Sequence, residues 1–166
     1  TMEYPDISKG TVYRNLNSLV ESGLLSKVSV PSGADRFDHI LARHYHIKCT
    51  ECGKFMNVEN FDYIPDEFCS NTYIVGELNE PCVIIDYGST SKKLIEYIKS
   101  QYSEVKAVLI THGHFDHIRG LNLFNKFFPN TPIYIDRYDK ELLKDAKLNS
   151  SNLTGEKVVI NLSIKT

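Results

Sequence analysis

Apolar positions along the first third of the chain recur at helical spacing. Val12, Leu16, Leu19 and Val20 form one stripe, with Ser8 as N-cap and Gly23 as the stop, predicting a helix from residue 8 to about residue 23. Thr11, Arg14, Asn15 and Asn17 fall off that stripe and are free to contact something else. Residues 25–30 and 36–40 read as two strands, joined by the turn Pro31-Ser32-Gly33-Ala34-Asp35. Further along, short apolar runs at 72–75, 83–86, 105–110 and 133–135 suit buried strands. Residues 94–102 and 121–127 have helical periodicity, 138–147 predict a third helix, and 158–162 a last strand. This alternation is α/β in character.

The grammar changes near residues 55–66, which divides the chain into segments 1–55 and 56–166. A helix followed by a hairpin is the layout of a winged helix, here without the helices that usually precede it. At 166 residues, 42% hydrophobic and 24% charged, the chain is ordinary for one soluble domain or two small ones. No window approaches the ~20 apolar residues of a membrane span, and the first residues lack the layout of a signal peptide. The expectation is a cytoplasmic protein with no membrane partner. Lys plus Arg balance Asp plus Glu at seven each in residues 1–60, and 12 stand against 14 in residues 61–166. The net charge of -2 therefore arises in the second segment, and charge alone gives no case for nucleic-acid binding.

Cysteines and histidines are grouped rather than scattered. The histidines are His39, His44, His46, His112, His114 and His117, in two clusters; the cysteines are Cys49, Cys52, Cys69 and Cys82. Cys49-Thr50-Glu51-Cys52-Gly53-Lys54 offers two thiolates for adjacent corners of a tetrahedral zinc site, with a glycine for the turn beneath. The same pair also reads as a redox dithiol or as two buried cysteines. Upstream, Asp38, His44 and His46 supply oxygen and nitrogen donors for a divalent metal, or else a polar strand face.

Residues 7–16 (Ile-Ser-Lys-Gly-Thr-Val-Tyr-Arg-Asn-Leu), Asp35-Arg36-Phe37-Asp38, His44-Tyr45-His46 and Cys49-x-x-Cys52-Gly53-Lys54 together resemble the ferric-uptake-regulator family, its peroxide-sensing branch above all. Its members are metal-dependent, homodimeric winged-helix repressors. The resemblance implies that Thr11, Tyr13 and Arg14 lie on a DNA-recognition helix. It implies Fe2+ or Mn2+ at Asp38, His44 and His46, and half of a structural zinc site at Cys49 and Cys52. It covers residues 4–55. The family's early helices, its second Cys-x-x-Cys and its dimerisation helix have no counterpart, and Asn57 stands where a ligand aspartate is common.

The strongest signal is Thr111-His112-Gly113-His114-Phe115-Asp116-His117, directly after an apolar strand. His112 and His114 can share one metal, and Asp116 and His117 can reach a second beside it. Two such ions make hydroxide available near neutral pH and polarise an oxygen under attack. The motif resembles the metallo-β-lactamase superfamily, nearer its glyoxalase-II-like hydrolases. Ser70-Asn71-Thr72-Tyr73-Ile74-Val75 and Val83-Ile84-Ile85-Asp86-Tyr87-Gly88 support it, with Tyr87 where the family usually has proline. Pro132-Ile133-Tyr134-Ile135 and Asn149-Ser150-Ser151-Asn152-Leu153 continue the pattern, and Met56 stands where such a chain would start.

The resemblance covers residues 56–166 and reaches the first half of the family's αββα sandwich. The family's third histidine, bridging aspartate and final histidine fall further along. The expected architecture is α/β (α+β): a partial winged helix followed by half of a metallo-β-lactamase αββα sandwich. The expected function is a metal-dependent hydrolase of a small-molecule thioester or ester, with up to two Zn2+ at His112, His114, Asp116 and His117. Asp116 serves both as ligand and as the catalytic group that orients water. One alternative is a metal-responsive DNA-binding repressor; the other is a truncated or chimeric reading frame without activity.

Overall fold

The computed structural model describes residues 7–30, 34–39, 41, 44–62 and 70–166, the side chains of 59–62 excepted. Residues 31–33 of the expected turn, Ile40 and Cys69 lie outside the described residues. The chain forms two compact units, residues 1–44 and 45–166.

In the first unit, helix α1 spans Lys9–Glu21. The Ser8 side chain accepts a hydrogen bond from the Thr11 amide at 3.1 Å, satisfying one of the amides left orphaned at a helix start. Gly23 ends the helix at φ 72°. Its amide donates to the Val20 carbonyl while Leu24 reaches back to Leu19, a pairing that needs a left-handed residue between them. Strands β1 (Ser26–Val28) and β2 (Arg36–Asp38) pair antiparallel, Lys27 opposite Phe37, with a Lys27–Asp35 ion pair of 2.8 Å. They are shorter than the apolar pattern predicts. No residue of α1 is buried, and Val12 and Leu19 of its apolar stripe are exposed.

The second unit is built on a six-stranded sheet. Its strands are β3 (Tyr45–Lys48), β4 (Phe55–Asp62), β5 (Asn71–Gly76), β6 (Cys82–Ile85), β7 (Val105–Ile110) and β8 (Ile133–Ile135), in that spatial order. The pairs from β3 to β6 are antiparallel; β6–β7 and β7–β8 are parallel. Helix α2 (Lys92–Gln101) makes the crossover from β6 to β7 that a parallel pair requires. Its N-cap Ser91 accepts from the Lys93 amide at 3.2 Å. Two short helices, α3 (Phe115–Ile118) and α4 (Leu121–Phe127), connect β7 to β8. Residue 55, where the sequence pattern changes, is the first residue of β4.

One side of this sheet is the core. Register aligns Ile74, Ile84, Val108 and Ile133 across four strands, each at 2% exposure or less. Leu94, Ile95 and Ile98 of α2 and Leu121 and Phe124 of α4 join the same cluster. Tyr87 packs on Phe124 with ring centroids 5.0 Å apart. The alternate row, Tyr73, Ile85, Leu109 and Tyr134, is also apolar but only half covered, Leu109 remaining 42% exposed.

Two expected elements are not there. Residues 138–147 do not form a helix; one 3-10 turn, Leu142–Lys144, is all that appears. The Asp136 and Asp145 carboxylates accept from the amides of Tyr138 and Lys147 at 2.9 and 2.7 Å, offering the backbone an alternative to helical pairing. Residues 158–162 make no ladder either. Val158 donates to Ser151 Oγ and Ile160 to the Leu143 carbonyl, so these amides are spent on the neighbouring loop. Pairing resumes only at a Tyr134–Lys165 bridge.

Candidate metal centre

In open α/β sheets, ligands sit outside the carboxyl ends of parallel strands. Here the ends of β6 and β7 deliver Asp86, Tyr87 and Gly88 from one side and Thr111 to His114 from the other. The two loops are laced together. Tyr87 donates its amide to the His117 carbonyl and accepts from the Gly120 amide. Ser70 Oγ donates to the Asp116 carbonyl at 2.6 Å. The approach is so close that a Cβ on Gly88 would stand 1.8 Å from the Asp116 carbonyl oxygen, so no side chain fits there.

The motif residues meet in pairs. His112 Nε2 lies 3.1 Å from His114 Nδ1. Two nitrogens each about 2.0–2.1 Å from one tetrahedral zinc are separated by roughly 3.3 Å, so this spacing fits a shared ion. His117 Nε2 lies 3.4 Å from Asp116 Oδ2, a second pair of similar span. The His112 and His117 rings adjoin, centroids 4.1 Å apart, which brings the two pairs side by side.

Asp86 organises both pairs. It is 3% exposed and accepts from the Thr111 amide at 2.8 Å, from Thr111 Oγ1 at 2.7 Å and from His117 Nδ1 at 2.7 Å. With Nδ1–H committed to the carboxylate, Nε2 is the His117 nitrogen left to face outward. The single hydroxyl hydrogen of Thr111 is likewise committed to Asp86. At 3.1 Å from His112 Nδ1, Thr111 Oγ1 is therefore the acceptor, and His112 also presents a bare Nε2. That lone pair faces His114 Nδ1, so a proton or a cation must lie between the two nitrogens. Sequence pattern missed Asp86 as a site residue; its signal was a carboxylate at the end of an otherwise apolar strand.

The titration of the two histidines follows their surroundings. Burial works against the His117 imidazolium, but the hydrogen bond to Asp86 and the charges of Asp86 and Asp116 outweigh it and raise its pKa. Burial lowers the pKa of His112, reinforced by the positive charges of His117 and His114 and opposed by Asp86 and Asp116. His112 is thereby kept in the neutral form that ligates metal.

Asn149 supports the arrangement from the far side. Fully buried, it donates to the carbonyls of Leu142 and Val158 and accepts from the Ser151 amide. Its own carbonyl accepts from the amide of Phe115, inside the motif.

The other predicted residues lie elsewhere. Thr11, Tyr13 and Arg14 stand on α1, with Tyr13 and Arg14 exposed and Tyr13 near Phe37 at 6.1 Å between centroids. His44 Nε2 donates to Asp38 Oδ2 at 2.7 Å, both side chains being largely buried. His46 stands on β3, and Cys49 and Cys52 in the turn that joins β3 to β4.

Comparison with known proteins finds two family matches that overlap over residues 65–71. Residues 65–164 match the metallo-beta-lactamase superfamily and residues 1–71 the ferric uptake regulator family. "Probable metallo-hydrolase YqgX" of Bacillus subtilis is 36% identical over 75 residues, 45% of this chain and 35% of that protein. The "Peroxide operon regulator" of Bacillus subtilis is 38% identical over 55 residues, 33% of this chain and 38% of the regulator. Among solved structures, the BLEG-1 B3 metallo-beta-lactamase superposes with a TM-score of 0.57 at 27% identity, over 66% of this chain and 52% of that one. The chain thus spans little more than a third of either curated relative and about half of the structural one.

Proposed function

The chain belongs to the metallo-beta-lactamase superfamily, and on that premise we propose that its second unit is the metal-binding part of a hydrolase acting on a thioester or related ester. The carrying observation is the pair of spans, 3.1 Å from His112 to His114 and 3.4 Å from His117 to Asp116, side by side at the strand ends. His112 and His114 would hold one Zn2+, and Asp116 and His117 a second. Zinc in such a centre acidifies water and polarises the oxygen of the bond under attack. Asp116 would orient the attacking water and accept its proton. Asp86 holds His117 in its ligating tautomer directly and His112 through Thr111, as the partners behind a metal ligand do. Zinc analysis of purified protein with a thioesterase assay tests the reading. The expected result is up to two zinc equivalents at the histidine motif and activity abolished by His114→Ala. Protein that retains no zinc there and hydrolyses no thioester refutes it.

A second reading concerns residues 1–71 and is supported by their match to the ferric uptake regulator family. In it Thr11, Tyr13 and Arg14 contact DNA from α1. Asp38, His44 and His46 take Fe2+ or Mn2+, the Asp38–His44 hydrogen bond marking two of the donors. An electrophoretic shift with added manganese, weakened by salt and lost on Arg14→Ala, is the expected result. Absence of any metal-dependent shift at low salt refutes it.

A further inference from the structure

Two segments outside the histidine motif frame His114. The carboxyl ends of β7 and β8 lie side by side, Ile110 opposite Ile135, so the chain leaving β8 emerges beside the motif. A Cβ on Gly113 would stand 3.1 Å from the Asp139 carbonyl oxygen and 2.5 Å from Leu142 Cβ, so this segment presses on the residue before His114. On the other side, the Phe115 amide donates to the Asn149 carbonyl at 3.0 Å. His114 itself is exposed between these two contacts. The residues that precede Asp139 and Asn149 are Tyr138 and Leu148, 77% and 50% exposed. An aromatic and an aliphatic side chain thus stand in solvent next to the two contacts that bracket the proposed zinc ligand.

Tyr138 also carries a cation. Arg137 Nη2 donates to the Tyr138 hydroxyl at 2.7 Å, and Arg137 Cζ lies 4.6 Å from the ring centroid. The Asp136 carboxylate accepts from the Tyr138 amide at 2.9 Å, which fixes the turn that presents the pair. A guanidinium offers five N–H donors in a planar fork and grips a carboxylate with two of them. Stacked on a ring, it is pre-organised and loses less freedom per hydrogen bond formed. We propose that Arg137, with Tyr138 and Leu148, forms the recognition rim of the metal centre and selects thioesters that carry a carboxylate. The guanidinium takes the carboxylate, and the apolar part of the substrate lies along the ring and the leucine. This inference rests on the hydrolase reading and names the substrate class for it.

Three thioesters test it on the zinc-loaded full chain. Ethyl thioacetate is neutral, the S-ethyl monothioester of succinate has a carboxylate on its acyl half, and S-acetyl mercaptoacetate has one on its thiol half. The expected result is a higher kcat/KM for a charged thioester than for the neutral one, and the better of the two tells which half is read. In Arg137→Gln the KM for that thioester should rise about tenfold with little change in kcat. Lys106→Gln removes a cation at the other end of β7 and should leave the preference intact. No preference in the wild type, or an equal loss on all three thioesters in Arg137→Gln, overturns the proposal. A second arm needs no turnover: saturation-transfer NMR of succinate and of mercaptoacetate with chelator-treated protein. Binding of at least one should be seen in the wild type and lost in Arg137→Gln. If no thioester is hydrolysed, the hydrolase reading fails; if neither carboxylate binds, or binding survives Arg137→Gln, this inference fails whatever the turnover.

Discussion

Asp86 adopts φ 57°, a left-handed conformation that costs most residues free energy and that aspartate tolerates better than others. From that conformation its carboxylate meets Thr111 and His117. Asn at this position keeps the shape but loses the charge, and one side of its amide meets a donor with another donor. Asp86→Asn should therefore weaken zinc binding about 10–100-fold, read by competition with a chromophoric chelator. Thermal stability should fall far less, because the apolar core is untouched. His117 gives a pH signature in the metal-free protein. Its pKa is raised in the fold, so its stabilising contribution is complete below the usual imidazole value and fades as pH rises through the folded value. The urea midpoint of the wild type over His117→Gln should therefore be higher at about pH 5.5 than at about pH 8.5. An advantage that grows toward alkaline pH would contradict the assignment.

Helix α2 and the stretch at 138–147 have similar apolar spacing, and only one is helical. Ser91 caps α2, and no carboxylate competes for its amides; Leu94, Ile95 and Ile98 then bury one face. In the other stretch Asp136 and Asp145 capture backbone amides, and the chain folds into turns. Ser91→Ala should cost about 0.5–2 kcal/mol, measured by chemical denaturation, since it orphans the Lys93 amide. Most strands and both principal helices of the second unit were legible because a half-buried strand alternates and a buried helix face repeats. The stretch at 158–162 was misleading: an apolar run buried against loops carries the same composition as one buried in a ladder.

Across the second unit, burial separates two rows of apolar residues that look alike in sequence. Ile84→Ala, at 0% exposure, should lower stability by about 2–5 kcal/mol, whereas Leu109→Ala, 42% exposed, should stay within about 1 kcal/mol. Matched denaturant midpoints for the two variants would contradict the layering. In the first unit the predicted stripe of α1 is real as a pattern but carries no buried residue, so its periodicity alone says nothing of stability. The sequence by itself determined the donor chemistry, since clustered imidazoles, thiolates and carboxylates are a local property of the chain. It also determined the α/β alternation. Only the tertiary structure decided what stands behind those donors, because Asp86 reaches Thr111 and His117 through contacts spanning 25 and 31 positions of chain. Those contacts exist because parallel strands place their ends together, and nothing in the spacing of residues along the chain records that.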